Sequence, residues 1–317
     1  MNQKLYFWVE KYLFNPSLFQ KVLSYLLLPL SAIYCLIVIL KRKFSKQIDF
    51  NIPIISIGNL IVGGSGKTPV TIALAKGKKD AFIILRGYKR ESKGLIVISD
   101  KGEILSDVKT SGDEAMLFAT SLKKASVIVA EDRVEAIKYA KTLGAKVIFL
   151  DDGFSKSHIK KLDILIKPHL PNINDFCLPS GPYREPKSLY SPSEGHAHDT
   201  LVFEEEKDFT RSVSIKNKTK RMVLVTAISK PERLEPFIPS HIERVYFPDH
   251  YAYTQRELDA ILRRYCADSI LTTTKDAVKM KEFNIPLSVL KLKITLKDDL
   301  IKIVDTFIED FAKISQK

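Results

Sequence analysis

Residues 52–70 read IPIISIGNLIVGGSGKTPV. The β-branched run at 53–58 predicts a short buried strand, and the stretch from Thr68 onward predicts a helix. Between them lie Gly63, Gly64, Ser65, Gly66, Lys67 and Thr68. A glycine-rich turn between a strand and a helix lets backbone N–H groups converge on phosphate oxygens, and the helix N-terminus adds positive potential. Lys67 is then placed for the β- and γ-phosphates of a nucleoside triphosphate, and the Thr68 hydroxyl for Mg²⁺. The strict pattern has glycine six positions before the lysine. Ile61 stands there, so the loop is a variant.

Downstream, apolar runs at 81–85 (AFIIL), 95–98 (LIVI), 126–130 (SVIVA), 146–150 (KVIFL) and 163–166 (DILI) alternate with helical patterns at 113–121 and 133–143. That alternation predicts βαβ units and a largely parallel sheet covered on both faces. Asp151 and Asp152 follow KVIFL, where a carboxylate beside a phosphate loop holds Mg²⁺ directly or through water. Residues 178–192 (LPSGPYREPKSLYSP) read as a loop closing the first domain, and the polar stretch near 195–220 reads as a linker. A second α/β pattern follows, with strands at 222–226, 245–247, 269–272 and 289–294. Helices are predicted at 254–266, opened by a Thr254/Glu257 capping box, and at 300–314.

Upstream, residues 22–40 (VLSYLLLPLSAIYCLIVIL) carry no charge. As one helix they span roughly 28 Å, near the ~30 Å hydrocarbon thickness, with a kink at Pro29. Lys41, Arg42, Lys43 and Lys46 follow and place the downstream chain in the cytoplasm. No small-residue cleavage site follows, which argues against a signal peptide. Tyr6, Phe7, Trp8, Tyr12 and Phe14 have an interfacial pattern, so spanning and surface-lying states are both open. The expected fold is therefore an α/β, P-loop NTPase-like parallel-sheet domain with an N-terminal membrane helix and a second, smaller α/β domain. Its segments are 1–46, 47–200 and 201–317. The formal net charge of +13 suits an anionic partner. It is spread along the chain without a recognisable nucleic-acid module, so no nucleic-acid partner is expected. Cys35, Cys177 and Cys266 suggest neither a disulfide framework nor a zinc site.

Phosphoryl transfer to an alcohol needs charge neutralisation and a base for the hydroxyl proton. The residues leave Asp113, Glu114 and His250 as candidate bases, and Arg86, Arg90 and Arg184 as phosphate clamps. Asp113 also reads as a helix N-cap, and His250 as a turn residue.

The ordered set of residues 52–70, RGYKR (86–90), GDEAML (112–117), DDGF (151–154), LPSGPYREP (178–186), FPDHYAY (247–253) and TTKDAVK (273–279) resembles the lipid A 4′-kinases, the tetraacyldisaccharide 4′-kinases. The resemblance runs from the hydrophobic N-terminus almost to the C-terminus. It implies ATP and Mg²⁺ as cofactors and tetraacyldisaccharide 1-phosphate as the glycolipid acceptor, phosphorylated at its 4′-hydroxyl to lipid IVA. It also implies membrane-lipid contact at the cytoplasmic face of a Gram-negative inner membrane, and a cleft between two lobes that closes on ATP. By matching motifs, Lys67 and Thr68 belong to the nucleotide loop, and Asp151 and Asp152 to the metal side. Asp113 is the implied catalytic base, His250 its partner, and Arg184 an arginine near the reacting phosphate. Arg86 and Tyr88, with Glu114, fall on the lipid-substrate side, and Lys275 and Asp276 on the nucleotide side.

This chain departs from the family pattern at Ser155 and Lys156, where Gln-His is usual after DDGF. His158 stands two positions further on. Leu85 replaces a usual Ser, and Ala115 a usual Pro. A membrane-anchored P-loop ATPase switch acting on a protein partner explains the glycine loop and the anchor equally well, but not the motifs around Asp113, Arg184 and His250.

Overall fold

The computed structural model describes residues 3–63, 66–168, 173–190, 200–228, 231–249 and 251–314. Gly64, Ser65 and His250 lie outside the described residues, as do the side chains of Tyr6 and Phe7. The strands are β1 (Ile54–Gly58), β2 (Ala81–Leu85), β3 (Ile96–Asp100), β4 (Glu103–Ile104), β5 (Ser126–Val129), β6 (Val147–Asp151), β7 (Leu162–Lys167), β8 (Thr200–Glu204), β9 (Phe209–Lys216), β10 (Met222–Thr226), β11 (Glu243–Tyr246), β12 (Ser269–Thr273) and β13 (Leu287–Leu296). They form an eight-stranded sheet in the order β4-β3-β5-β2-β6-β1-β7-β8 and a five-stranded sheet in the order β11-β10-β12-β13-β9. β1 with β7, β7 with β8 and β2 with β5 pair parallel, and β3 pairs antiparallel with β4 and β5. In the second sheet β10 with β11, β10 with β12 and β12 with β13 are parallel. β1, β2, β5, β6, β10 and β12 are buried at every position, the pattern of strands covered on both faces. The expected α/β class with a large parallel sheet stands.

The chain packs as two compact units, neither contiguous. One comprises Met1–Lys67, Phe149–Phe209 and Lys302–Lys317; the other comprises Thr68–Ile148 and Thr210–Ile301. In the second unit, one face of the five-stranded sheet buries Val223, Val225, Ile270 and Leu258, and another cluster gathers Leu224, Leu271, Ile242 and Leu290.

Two expectations need correction. The stretch near 195–220 is not all linker, since it contains β8 and β9. In β9 (FTRSVSIK) alternate residues turn inward, beginning with the fully buried Phe209. This period-2 signal is diluted by the polar residues on the exposed face. The expected single helix over 22–40 is instead two helices, Leu18–Leu26 and Leu28–Lys43, bent by 57° at Leu27. Pro29 sits in the first turn of the second helix, where its missing N–H costs no hydrogen bond. No single described helix is long and apolar enough to cross a membrane; this bent pair passes only when taken together.

The orientation of these helices is inside-out for a soluble protein. A capping box joining Ser17 and Gln20 starts the first helix. Gln20, Ser24 and Ser31 are buried, whereas Leu18, Phe19, Tyr25, Leu26, Leu30, Ile33 and Leu36 are exposed. The buried hydroxyls close on the loop before the GPYREP motif. Ser24 donates to the Ser180 carbonyl, and Ser31 donates to the Cys177 carbonyl at 2.9 Å while accepting from the Ser180 N–H at 2.9 Å. Tyr12 and Tyr34 donate to the carbonyls of Pro179 and Arg184. Arg42 pairs with Glu185 at 2.6 Å and lies over the Phe154 ring at 4.0 Å. The polar groups of the helices are thus used within the protein, and their apolar face is left to the surroundings.

Candidate nucleotide and phosphoryl-transfer site

β1 ends at Gly58, close against the DDGF turn. A Cβ on Gly58 would come within 2.5 Å of the Phe154 Cβ, so only glycine lets the two segments meet. The loop then turns through Gly63 and Gly66, both at φ near +87° (86° and 88°), where a side chain is strained. The helix Lys67–Ala75 follows, with Pro69 tolerated in its first turn.

Lys67 lies against two acceptors. Its Nζ is 3.1 Å from Asn59 Oδ1 and 3.6 Å from Asp152 Oδ1. Arg184 grips Asp152 through two hydrogen bonds, Nη1–Oδ2 at 3.0 Å and Nη2–Oδ1 at 2.9 Å, and also donates to Asn59 Oδ1 at 2.6 Å. Burial opposes ionisation of Asp152, but Lys67 and Arg184 beside it prevail and hold its carboxyl well below the usual carboxylate range. Because the folded value lies below the unfolded one, the stabilisation from these pairs is complete above the unfolded pKa of about 4. It is lost as pH falls through the folded value. Asp152 adopts φ +53°, a left-handed conformation that aspartate tolerates better than most residues. Asp151 closes β6 and is buried.

Asn59 was missing from the residues singled out by sequence, although it follows β1 directly. It is 2% exposed, and its Nδ2 donates to the Ile61 carbonyl at 2.8 Å, fixing the start of the loop while its oxygen serves both cations. Asn59→Ala leaves these groups without that acceptor. A stability loss of about 1–3 kcal/mol is expected, read from urea unfolding, and unchanged stability would remove this role.

A second group gathers around Asp113. The N-cap of the helix Asp113–Ser121 is Gly112 at φ +80°, so Asp113 is the first helical residue rather than the cap. Asp113 is 5% exposed, and its Oδ1 accepts from the Glu114 N–H at 3.1 Å. The helix packs on Thr274–Met280. Lys275 Nζ lies 3.7 Å from Asp113 Oδ2, 4.0 Å from Glu114 and 3.5 Å from Asp249. Burial alone would lower the Lys275 pKa, but Asp113, Glu114 and Asp249 outweigh it and raise it. Asp276 is fully buried. It accepts from Thr226 Oγ1 (2.7 Å), Thr273 Oγ1 (2.9 Å) and the Ala227 N–H (3.1 Å), and pairs with Lys279 at 2.8 Å. Arg86 and Tyr88 follow β2 and are exposed. Arg90 is turned away from solvent onto Glu131 and the Gly94 carbonyl. Ser155 is exposed and lines a pocket described below; Lys156 and His158 are half-buried.

A glycine turn that delivers an ammonium to a carboxylate–guanidinium pair has the chemistry to hold a polyphosphate while its charge redistributes. On a largely parallel sheet it defines the class, a P-loop phosphotransferase. Comparison with known proteins supplies the particular family. Residues 23–309 match the family model described as LpxK, tetraacyldisaccharide-1-P 4′-kinase, and the chain belongs to this family of kinases. A tetraacyldisaccharide 4′-kinase of Aliarcobacter butzleri (strain RM4018) is 55% identical over 291 residues, covering 90% of this chain and 91% of the relative. One from Helicobacter pylori (strain ATCC 700392 / 26695) is 47% identical over 301 residues, covering 95% and 94%. Among solved structures, the crystal structure of the "apo" form of LpxK from Aquifex aeolicus in complex with ATP is similar, with a TM-score of 0.71 and 28% identity. The match covers 90% of this chain and 99% of that one.

Proposed function

We propose that this chain transfers the γ-phosphate of ATP to the 4′-hydroxyl of tetraacyldisaccharide 1-phosphate, as an enzyme of lipid A biosynthesis working at the cytoplasmic face of the inner membrane. The observation that carries the reading lies within one compact unit. A pocket of about 360 Å³ is lined by Asn59, Asp152 and Arg184 together with Ile37, Val38 and Lys41 of the apolar helix. A phosphate-handling group thus shares a cavity with a helix whose outer face suits acyl chains. By the resemblance, Arg86, Tyr88 and Glu114 also fall on the lipid side.

In this account Lys67 and the backbone of Gly63, Gly64, Ser65 and Gly66 bind the β- and γ-phosphates, and Arg184 neutralises charge on the transferring group. Asp113 accepts the hydroxyl proton, with His250 as its partner, and Lys275 steadies the Asp113 carboxylate. Asp276 contributes to the nucleotide side through the turn it holds. The residues available to a divalent cation are Thr68, Asp151 and Asp152, an all-oxygen set that fits Mg²⁺. Among the described residues no three His, Cys, Asp or Glu side chains cluster as a cage, and a phosphate-bound Mg²⁺ needs none, since phosphate and water oxygens complete its shell. Bound there, the ion would supply neutralisation of the phosphate charge. Residues 1–46 serve as the membrane-associated segment, 47–200 as the kinase core and 201–317 as the smaller domain.

The membrane reading follows from the outward apolar face and the basic collar after it. Leu26→Glu together with Ile33→Glu is expected to weaken co-sedimentation with anionic phospholipid vesicles by about tenfold or more, with ATP binding retained. Undiminished vesicle binding would contradict it. For the acceptor, a disaccharide lipid with its 4′-hydroxyl methylated is expected to take no label from γ-labelled ATP; labelling of that analogue would overturn the assignment of the reacting hydroxyl.

A further inference from the structure

Lys279 ends the TTKDAVK motif. The structure gives it a defined place. It is on the helix Thr274–Met280, one turn after Lys275, and its side chain is 10% exposed. Its ammonium lies 2.8 Å from Asp276 Oδ1 and 3.9 Å from Asp113 Oδ2. The Tyr253 ring covers it at 5.2 Å, and it donates to the Tyr251 carbonyl at 3.2 Å. Asp276 cannot drift, because two threonine hydroxyls and a backbone N–H hold its other oxygen.

We infer that Lys279 is a positioning residue for phosphoryl transfer, an immobile ammonium that keeps Asp113 ionised and turns its carboxylate for proton acceptance. The inference rests on the reading of Asp113 as the base. Asp113 has one oxygen on the Glu114 N–H and the other between two ammonium groups. Of these, Lys275 is shared among three carboxylates, Asp113, Glu114 and Asp249. Lys279 is clamped by Asp276, so its direction is set by the fold. A positive charge about 4 Å from a carboxylate favours its charged form. Among the described residues, the charged and titratable groups around this carboxylate include Lys275, Lys279, Glu114, Asp249, Asp276 and Tyr253, and its proposed partner His250 lies outside them.

The test compares Lys279→Met, Lys279→Gln and Lys279→Arg in the full-length protein, with Mg-ATP and tetraacyldisaccharide 1-phosphate. Either neutral variant that retains the wild-type melting profile suffices. Expected is a fall in kcat of about tenfold or more, with KM for both substrates within about threefold. The acid limb of the kcat/KM profile should move up by about one pH unit, and Lys279→Arg should recover most of the loss. Three outcomes would overturn the inference: kcat and the acid limb unchanged; a loss carried by KM for Mg-ATP; or an arginine variant no better than methionine. Asp113→Asn is measured alongside. If it turns over normally, the base reading itself fails; if it is inactive while the neutral Lys279 variants behave as wild type, only the Lys279 inference fails.

Discussion

Lys67→Ala is expected to reduce turnover by about 10²–10³-fold, the scale for removing one preorganised charge-stabilising donor. The reason is visible in the packing. The helix Lys67–Ala75 begins at this residue, so the ammonium is delivered by the same turn whose backbone is proposed to meet the phosphates. Its partners, Asn59 and Asp152, are both also held by Arg184, so the alanine variant keeps Asp152 paired and the loop anchored. The fold is therefore expected to survive, with a melting temperature close to wild type while activity collapses. A variant with near-normal turnover would show that the glycine loop is not where the transferring phosphate sits.

Asp113→Asn is expected to lower kcat by about 10²–10⁴-fold, the usual contribution of a general base. The change is nearly isosteric and keeps an acceptor for the Glu114 N–H. It removes the negative charge from between Lys275 and Lys279, but Asp249, Glu114 and Asp276 remain to pair with them. KM for Mg-ATP should therefore change by less than about threefold. Intact ATP binding with lost transfer is the expected signature, whereas full turnover would remove Asp113 as the base.

Much of this architecture was legible in residue patterns. β2 and β10, and the helix Asp113–Ser121, match the apolar runs and periodicity residue for residue, because strands buried on both faces leave uninterrupted hydrophobic runs. The Thr254/Glu257 capping box was equally plain, since both reciprocal bonds form within four residues. Less legible was whatever depends on distant partners. The role of Asn59 comes from Lys67 and Arg184, the latter 125 positions away. Ser24 and Ser31 look like polar interruptions of an apolar span until residues 177–180 are brought against them. The sequence predicts a kink at Pro29 where the structure bends at Leu27, because proline in a first turn starts a helix as readily as it bends one. Lys279 was hidden by proximity to Lys275, because only burial and the fixed Asp276 distinguish the two.

The central claim is phosphate transfer to a lipid alcohol, and it is tested most directly by incubating the purified full-length chain with γ-labelled Mg-ATP and tetraacyldisaccharide 1-phosphate in mixed micelles. The account predicts label in a bisphosphorylated glycolipid, appearing about 10²–10³-fold more slowly with Lys67→Ala. Label released only as inorganic phosphate by an ATP-binding preparation, at a rate indifferent to the glycolipid, would contradict it.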